Sequence, residues 1–216
     1  MKTAIIFDLD GTLLDTLGDL HHAVNHVLAE FGYPTRTIEE VCRFVGNGAE
    51  RLMRLAVPEG EAWEPALAAF QSYYRQHCDI LTAPYAGILD VLAQLQSRYP
   101  LAVVSNKPDR AVKELAAVYF PNLYARGEST DCPRKPAPDM IFRTMEDMGV
   151  EKCIYVGDSE VDIRTAKNAG VPCLSVLWGF RDREQLAEGN HFCERVEDLP
   201  KAIREIAASL DEAEKV

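Results

Sequence analysis

The stretch "AIIFDLDGTLLDT", residues 4–16, decides how the rest of the chain is read. Its four leading apolar residues have the character of a buried strand. The run then delivers two carboxylates, Asp8 and Asp10, two positions apart, and turns at once on Gly11. Burying a charge is costly unless something pairs with it. Whatever stands opposite Asp8 and Asp10 has to come from elsewhere in the sequence.

Three further apolar runs share this grammar: "LAVVSN" (101–106), "CIYVGD" (153–158) and "CLSVLWG" (173–179). Each ends on a polar residue or glycine, and helical patterns separate the runs. That alternation predicts parallel strands joined by helices, an α/β fold with a Rossmann-like open parallel sheet. In such sheets ligands bind outside the carboxyl ends of the strands. Asp8, Ser105 and Asp158 each fall at or just past such an end, so residues distant in sequence are expected to meet at one edge.

Between the first run and "LAVVSN" lie roughly 85 to 90 residues, far more than the dozen or so a crossover needs. The stretches 19–32, 49–57 and 63–78 carry apolar residues at three- and four-residue intervals, which predicts an inserted all-helical cap over residues 16–81. The catalytic core is then residues 1–15 and 82–216. "TAPYAG" (82–87) supplies turn residues for the return, and "ILDVLAQLQSRY" (88–99) brings the chain back to the sheet. Later helices are expected at 109–120, 138–149 and 161–170, the last two ending in glycine. A terminal amphipathic helix from residue 195 fades into a charged tail.

Lys plus Arg total 23 against 34 Asp plus Glu, a formal net charge of -11, so the surface repels polyanions. Nucleic acid and membrane are therefore not expected partners. Attraction of a small anion has to be local, because surface charges are screened beyond ~8 Å at physiological salt. The amino-terminal apolar stretch is too short and too acidic for a signal peptide or a membrane span. The six cysteines form no C-x-x-C pair, and reduced thiols in a cytoplasmic protein are the expectation.

The chemistry-bearing residues are carboxylates first. Asp158 and Asp162, at i and i+4 in "GDSEVD", would join Asp8 and Asp10 at the sheet edge. Two carboxylates ~4 Å apart repel by roughly 4 kcal/mol at an effective dielectric of about 20. Either a cation occupies the gap or one carboxyl stays protonated, and an all-oxygen donor set suits a hard ion, Mg²⁺ with several waters. Ser105, followed by Asn106 and Lys107, offers a hydroxyl and backbone amides for phosphate oxygens. Lys135, in "RKPAPD", lies between Arg134 and Pro136 and can balance the charge of the carboxylates and of a bound phosphoryl group. Each motif taken singly is also an ordinary turn or helix cap. It is their joint order and placement that argues for one site.

By these same residues the chain resembles the haloacid dehalogenase superfamily: "FDLDGTLLDT", "VVSNK", "RKPAPD" and "YVGDSEVDI", in the family's order. Within it, "FVGNGAERLM" and "SNKP" are similar to the phosphoglycolate phosphatases. The resemblance implies Asp8 as nucleophile forming an aspartyl phosphate, Asp10 as general acid and base, and Ser105 and Lys135 holding the phosphoryl oxygens. It implies Mg²⁺ on Asp8, the Asp10 backbone carbonyl and Asp158, with Asp162 acting on the ion mostly through its neighbours. Asn106 and the cap residues Arg43, Asn47 and Arg51, in or beside "RFVGNGAER", are the expected substrate-binding residues. The cap residues could equally be an exposed helix start. His22 and His26 share a metal-compatible spacing without a third ligand.

The leading expectation is a Mg²⁺-dependent phosphatase of a small phosphorylated metabolite, 2-phosphoglycolate first, acting as a monomer or homodimer. A sugar-phosphate mutase, a pyrophosphatase or a nucleotidase of the same superfamily would share the pattern. A phospho-accepting receiver domain is the reading from another class. The helical insertion and the second carboxylate, which promotes hydrolysis, speak against it.

Overall fold

The computed structural model describes residues 2–213, and the end of the charged tail, 214–216, lies outside the described residues. The chain divides into two compact units, Met1–Leu13 with Pro84–Val216, and Leu14–Ala83.

The first unit is built on a parallel sheet. Its strands are β1 (Thr3–Phe7), β4 (Leu101–Pro108), β5 (Tyr124–Glu128), β6 (Lys152–Gly157), β7 (Cys173–Val176) and β8 (His191–Cys193). They lie in the order β5-β4-β1-β6-β7-β8, every pairing parallel. All five residues of β1 are buried, as the continuous apolar run requires of a strand covered on both faces. On one face Ala4, Ile6, Ala102, Val104, Cys153 and Tyr155 pack with Met140 and Ile141 of α7 (Asp139–Met148) and Ala166 of α8 (Glu160–Ala169). Helices α5 (Ile88–Gln96), α6 (Asp109–Tyr119) and α9 (Leu199–Ala213) complete the layers. As expected, α7 and α8 end on left-handed glycines, Gly149 and Gly170.

Register positions the site. Phe7 lies opposite Val103 on one side and Val156 on the other, so Asp8, Ser105 and Asp158 emerge at the same end of three adjacent strands. β4 runs on past the end of β1 to Pro108, its pairing with β5 shifting between Val104 and Pro108. The strand order reverses about β1, which is where open α/β sheets bind ligands. Strands β5 and β8 escape the apolar-run pattern. "YARGE" is polar and half-buried, and "HFC" is three residues long, as suits strands at the two edges.

The second unit carries α1 (Leu17–Glu30), α2 (Ile38–Phe44), α3 (Gly48–Ala56) and α4 (Trp63–Tyr74), with β2 (Leu14–Asp15) and β3 (Ala83–Pro84) pairing as a two-stranded sheet. Leu20, Ala23, Val24, Val27 and Leu28 of α1 are buried in this unit, at the spacing of one helical face. Helix α2 starts on a capping box, Thr37 with Glu40. Asp19 is buried and ties the unit's two ends together, accepting from the Leu81 amide (2.9 Å), the Thr82 amide (2.8 Å) and the Thr82 hydroxyl (2.8 Å).

Bonds to a charged acceptor contribute about 1.5–3 kcal/mol each. Asp19→Ala is therefore expected to open the segment at Leu81 and Thr82, and hydrogen exchange of those two amides should accelerate at least tenfold while β1 amides keep their protection.

Candidate active site

Asp8 follows β1 directly, its amide donating to the Val156 carbonyl at 2.8 Å. The chain then turns through Leu9–Thr12 on Gly11, whose φ is 82°. Glycine is required there twice over, for the left-handed backbone and for space: a Cβ would stand 2.2 Å from Asp158 Oδ2. Asp158 leaves β6 at the same level. Asp162 comes one turn into α8, facing back under Gly157.

The carboxylates of Asp8, Asp158 and Asp162 converge, one oxygen of each lying within 4.8 Å of the others, and all three residues are buried. Lys135 answers two of them, its Nζ lying 2.9 Å from Asp8 Oδ1 and 2.8 Å from Asp162 Oδ1, and it donates a third bond to Tyr155 Oη at 3.0 Å. Burial pushes the Asp8 carboxyl up; Lys135 pulls it back, Asp162 and Asp10 raise it again, and it settles at about 7. Asp158 sits well above the ordinary carboxylate range, through burial first and then Asp162 and Asp8. Burial works against the Lys135 ammonium, but Asp162 and Asp8 outweigh it and hold its pKa well above the usual lysine value.

The oxygens are not equally engaged. Asp162 is fully committed: Oδ2 accepts from the Ser159 amide (3.0 Å) and hydroxyl (2.6 Å), and Oδ1 from Lys135. Asp158 Oδ1 accepts from the Thr12 hydroxyl at 3.3 Å and Oδ2 from the Phe180 amide at 2.7 Å. Asp8 Oδ1 accepts from the Leu9 amide at 2.7 Å and from Lys135, while Oδ2 accepts no hydrogen bond among the described residues. Three acidic groups converge where one ammonium answers two of them, and Asp8 Oδ2 stands unengaged among the described residues. An all-oxygen donor set with that charge deficit fits a hard divalent cation.

A family model for haloacid dehalogenase-like hydrolases matches residues 5–176. The chain belongs to that family. Phosphoglycolate phosphatase 1 of Pseudomonas aeruginosa is 37% identical over 199 residues, spanning 85% of this chain and 72% of that protein. The phosphoglycolate phosphatase of Rhodobacter capsulatus is 33% identical over 192 residues, spanning 84% of this chain and 87% of that one. A crystal structure from Lactobacillus delbrueckii subsp. bulgaricus, provisionally assigned as a phosphoglycolate phosphatase, superposes with a TM-score of 0.88 at 37% identity, covering 94% of this chain and 99% of that one.

In this haloacid dehalogenase-like hydrolase the remaining residues singled out in the sequence fall in several places. Ser105 is buried and its hydroxyl accepts from the Lys107 amide at 3.2 Å. Asn106, expected on the substrate, spends its side-chain amide on the backbone of Lys135, accepting from its N–H (2.8 Å) and donating to its carbonyl (3.0 Å). Asp10 is not in the carboxylate cluster; its Oδ1 pairs with Lys107 Nζ at 2.9 Å. Arg43 lies in α2, Asn47 stands at the N-cap position of α3 without a side-chain capping bond, and Arg51 is the fourth residue of α3, all in the helical unit. His26 stacks on Tyr73 at 3.8 Å and Tyr73 on His77 at 4.0 Å, and neither His22 nor His26 belongs to a metal-holding group among the described residues.

Sequence reasoning passed over the loop after β7. Trp178 donates its indole N–H to the Thr12 carbonyl at 3.0 Å, and Gly179 lies so close that a Cβ would be 2.3 Å from the Gly11 carbonyl and 2.4 Å from Asp158. Only a glycine lets this loop reach Asp158. It also passed over Tyr155, whose hydroxyl joins Lys135 to the Val104 carbonyl (3.1 Å). The cap at Ser159 was legible, since Ser159 and Asp162 stand at capping-box spacing.

A carboxyl whose pKa rises on folding contributes stability that is fully present below its unfolded value and lost as pH climbs through its folded one. With divalent ions chelated, the wild type should therefore lose stability relative to Asp8→Asn as pH rises from about 4 to about 7. Urea midpoints of the two proteins across that window test it, and a constant difference would contradict the placement of Asp8.

Proposed function

We propose that the protein is a Mg²⁺-dependent phosphatase of small phosphate monoesters, with 2-phosphoglycolate its leading substrate. The observation that carries this is the unengaged Oδ2 of Asp8, beside an ammonium and within a cluster of carboxylates at the switch point of the sheet. The phosphoglycolate phosphatases of P. aeruginosa and R. capsulatus support the substrate.

Asp8 and Asp158 would hold the ion directly, with the Asp10 backbone carbonyl. Asp162 would act by holding Lys135 and Ser159. When bound, the ion supplies positive charge that keeps Asp8 ionised and neutralises phosphoryl oxygens. Asp8 Oδ2 attacks phosphorus as the ester oxygen departs, and Asp10 gives that oxygen its proton. Asp10 then takes a proton from water, whose oxygen attacks the phosphorus of the aspartyl phosphate and restores Asp8. Acid–base help of this kind is worth ~10²- to 10⁴-fold. The Ser105 hydroxyl and Lys135 ammonium hold the phosphoryl oxygens, consistent with phosphoryl transfer being mainly positioning and charge neutralisation. Asn106 fixes the Lys135 backbone so that its ammonium faces the transferred group.

The helical unit is proposed to act as a cap domain, and Arg43, Asn47 and Arg51 as substrate contacts, on their place in the sequence pattern. We further place the protein in the cytoplasm, as a monomer or homodimer acting on a phosphorylated metabolite and not on nucleic acid or membrane. The net charge of -11 and six free thiols support this. No described helix is long and apolar enough to cross a membrane.

Asp8→Asn is expected to abolish phosphate release, a loss of at least about 10⁴-fold. Wild-type rates from that variant would remove Asp8 from the nucleophile's role. Excess chelator should stop turnover and added Mg²⁺ restore it, so full activity in chelator would exclude the ion. Phosphate release from 2-phosphoglycolate, pyrophosphate, nucleoside monophosphates and a sugar phosphate identifies the substrate, and conversion of the sugar phosphate without phosphate release would indicate a mutase.

A further inference from the structure

Lys107 is the charged group closest to the proposed chemistry that the steps above leave without a task. It is buried, its side chain 4% exposed, and its Nζ lies 2.9 Å from Asp10 Oδ1. Its backbone is held as firmly as its head group. The Lys107 amide donates to the Ser105 hydroxyl at 3.2 Å, and Gly127 of β5 packs so close beneath that a Cβ would be 2.6 Å from the Lys107 carbonyl. A buried ammonium fixed at both ends between the residue that holds the phosphoryl group and the residue that serves the leaving oxygen is placed on the leaving-group side of the site. Lys135, by contrast, faces Asp8 and Asp162 on the phosphoryl side.

A general acid works within about 3 Å of the oxygen it protonates. A group one methylene carbon from that oxygen therefore falls within reach of an ammonium already touching Asp10. We propose that Lys107 is the specificity-determining residue of the core unit: it reads a carboxylate carried on the carbon next to the ester oxygen, and so selects phosphate esters of 2-hydroxycarboxylic acids. This rests on the phosphatase reading above and names its substrate class.

The pairing in the structure adds a second consequence. In the structure the ammonium is paired with Asp10. A 2-phosphoglycolate carboxylate competes for it, and as the ammonium turns to the substrate, Asp10 Oδ1 is released toward the leaving oxygen. An ester without the carboxylate leaves Asp10 tied to Lys107. The substrate's own charge thus completes the arrangement of Asp10, and the carboxylate contributes to kcat as well as to KM.

The test compares 2-phosphoglycolate with ethyl phosphate, in which a methyl replaces the carboxylate, in the wild type, Lys107→Met and Lys107→Arg. Wild type is expected to prefer 2-phosphoglycolate by at least about a hundredfold in kcat/KM, as sites built around a polar group do. In Lys107→Met that ratio should collapse at least tenfold from both sides, the carboxylated ester losing rate and ethyl phosphate, meeting an unpaired Asp10, holding or gaining it. Lys107→Arg should keep most of the preference. Equal losses on both esters in Lys107→Met would overturn the proposal and leave Lys107 as a prop for Asp10 alone.

If Lys107→Met fails to fold, the wild type supplies the reading through 2-phosphoglycolate and its carboxamide: a lower kcat on the amide supports the exchange of partners, and an equal kcat overturns it. Cleavage of pyrophosphate or nucleoside monophosphates in preference to 2-phosphoglycolate overturns the carboxylate reading while the phosphatase survives. Phosphate release from none of these compounds overturns the phosphatase reading first, and this one with it.

Discussion

Three converging buried carboxylates, two of them held by one ammonium, are the constraint on which the core unit is organised. Asp8, Asp158 and Asp162 come from the end of β1, the end of β6 and the first turn of α8, and Lys135 from the loop before α7. Left to themselves such groups repel, and burial multiplies the cost. The surroundings are arranged to hold them together nonetheless. Glycine stands at 11, 157 and 179 where any Cβ would strike a carboxylate, the Phe180 amide and Thr12 hydroxyl hold Asp158, and Ser159 holds Asp162. These contacts maintain a local charge deficit that a divalent ion can fill, inside a protein whose overall charge is already negative.

The sheet makes the convergence possible. A parallel strand delivers its carboxyl end at the same level as its neighbours, and β1, lying between β4 and β6, has Ser105 on one side and Asp158 on the other. The continuation of β4 past the end of β1 extends this edge, so that Ser105, Asn106 and Lys107 stand in a row with different partners: a backbone amide, the backbone of Lys135, and Asp10. Asn106 joins two segments of chain by a reciprocal amide pair, which holds the backbone of the buried Lys135.

Two kinds of cation follow from this layout. Lys135 is bound into the carboxylate cluster and further anchored by Tyr155, which in turn donates to the Val104 carbonyl next to Ser105. Lys107 is paired with the partly exposed carboxylate of Asp10. A cation with two buried anionic partners and a phenol is a fixture of the site, whereas Lys107 is proposed to exchange Asp10 for a substrate's charge.

The sequence by itself determined the sheet's four apolar strands, the glycine-ended helices, and the motif residues at strand ends, because periodicity, turn chemistry and capping are local properties of the chain. It also indicated the chemical type of the site, since acidic residues placed at the ends of buried strands require either a cation between them or a retained proton. Only the tertiary structure decided who partners whom. That Asn106 serves Lys135, that Asp10 meets Lys107, and that the loop 177–181 reaches over to Gly11, Thr12 and Asp158 depend on strand register and close packing between segments far apart in the chain. Edge strands β5 and β8 belong to the same group: polar or short, they carry no pattern of their own and exist because a neighbouring strand offers them a ladder of unpaired amides and carbonyls.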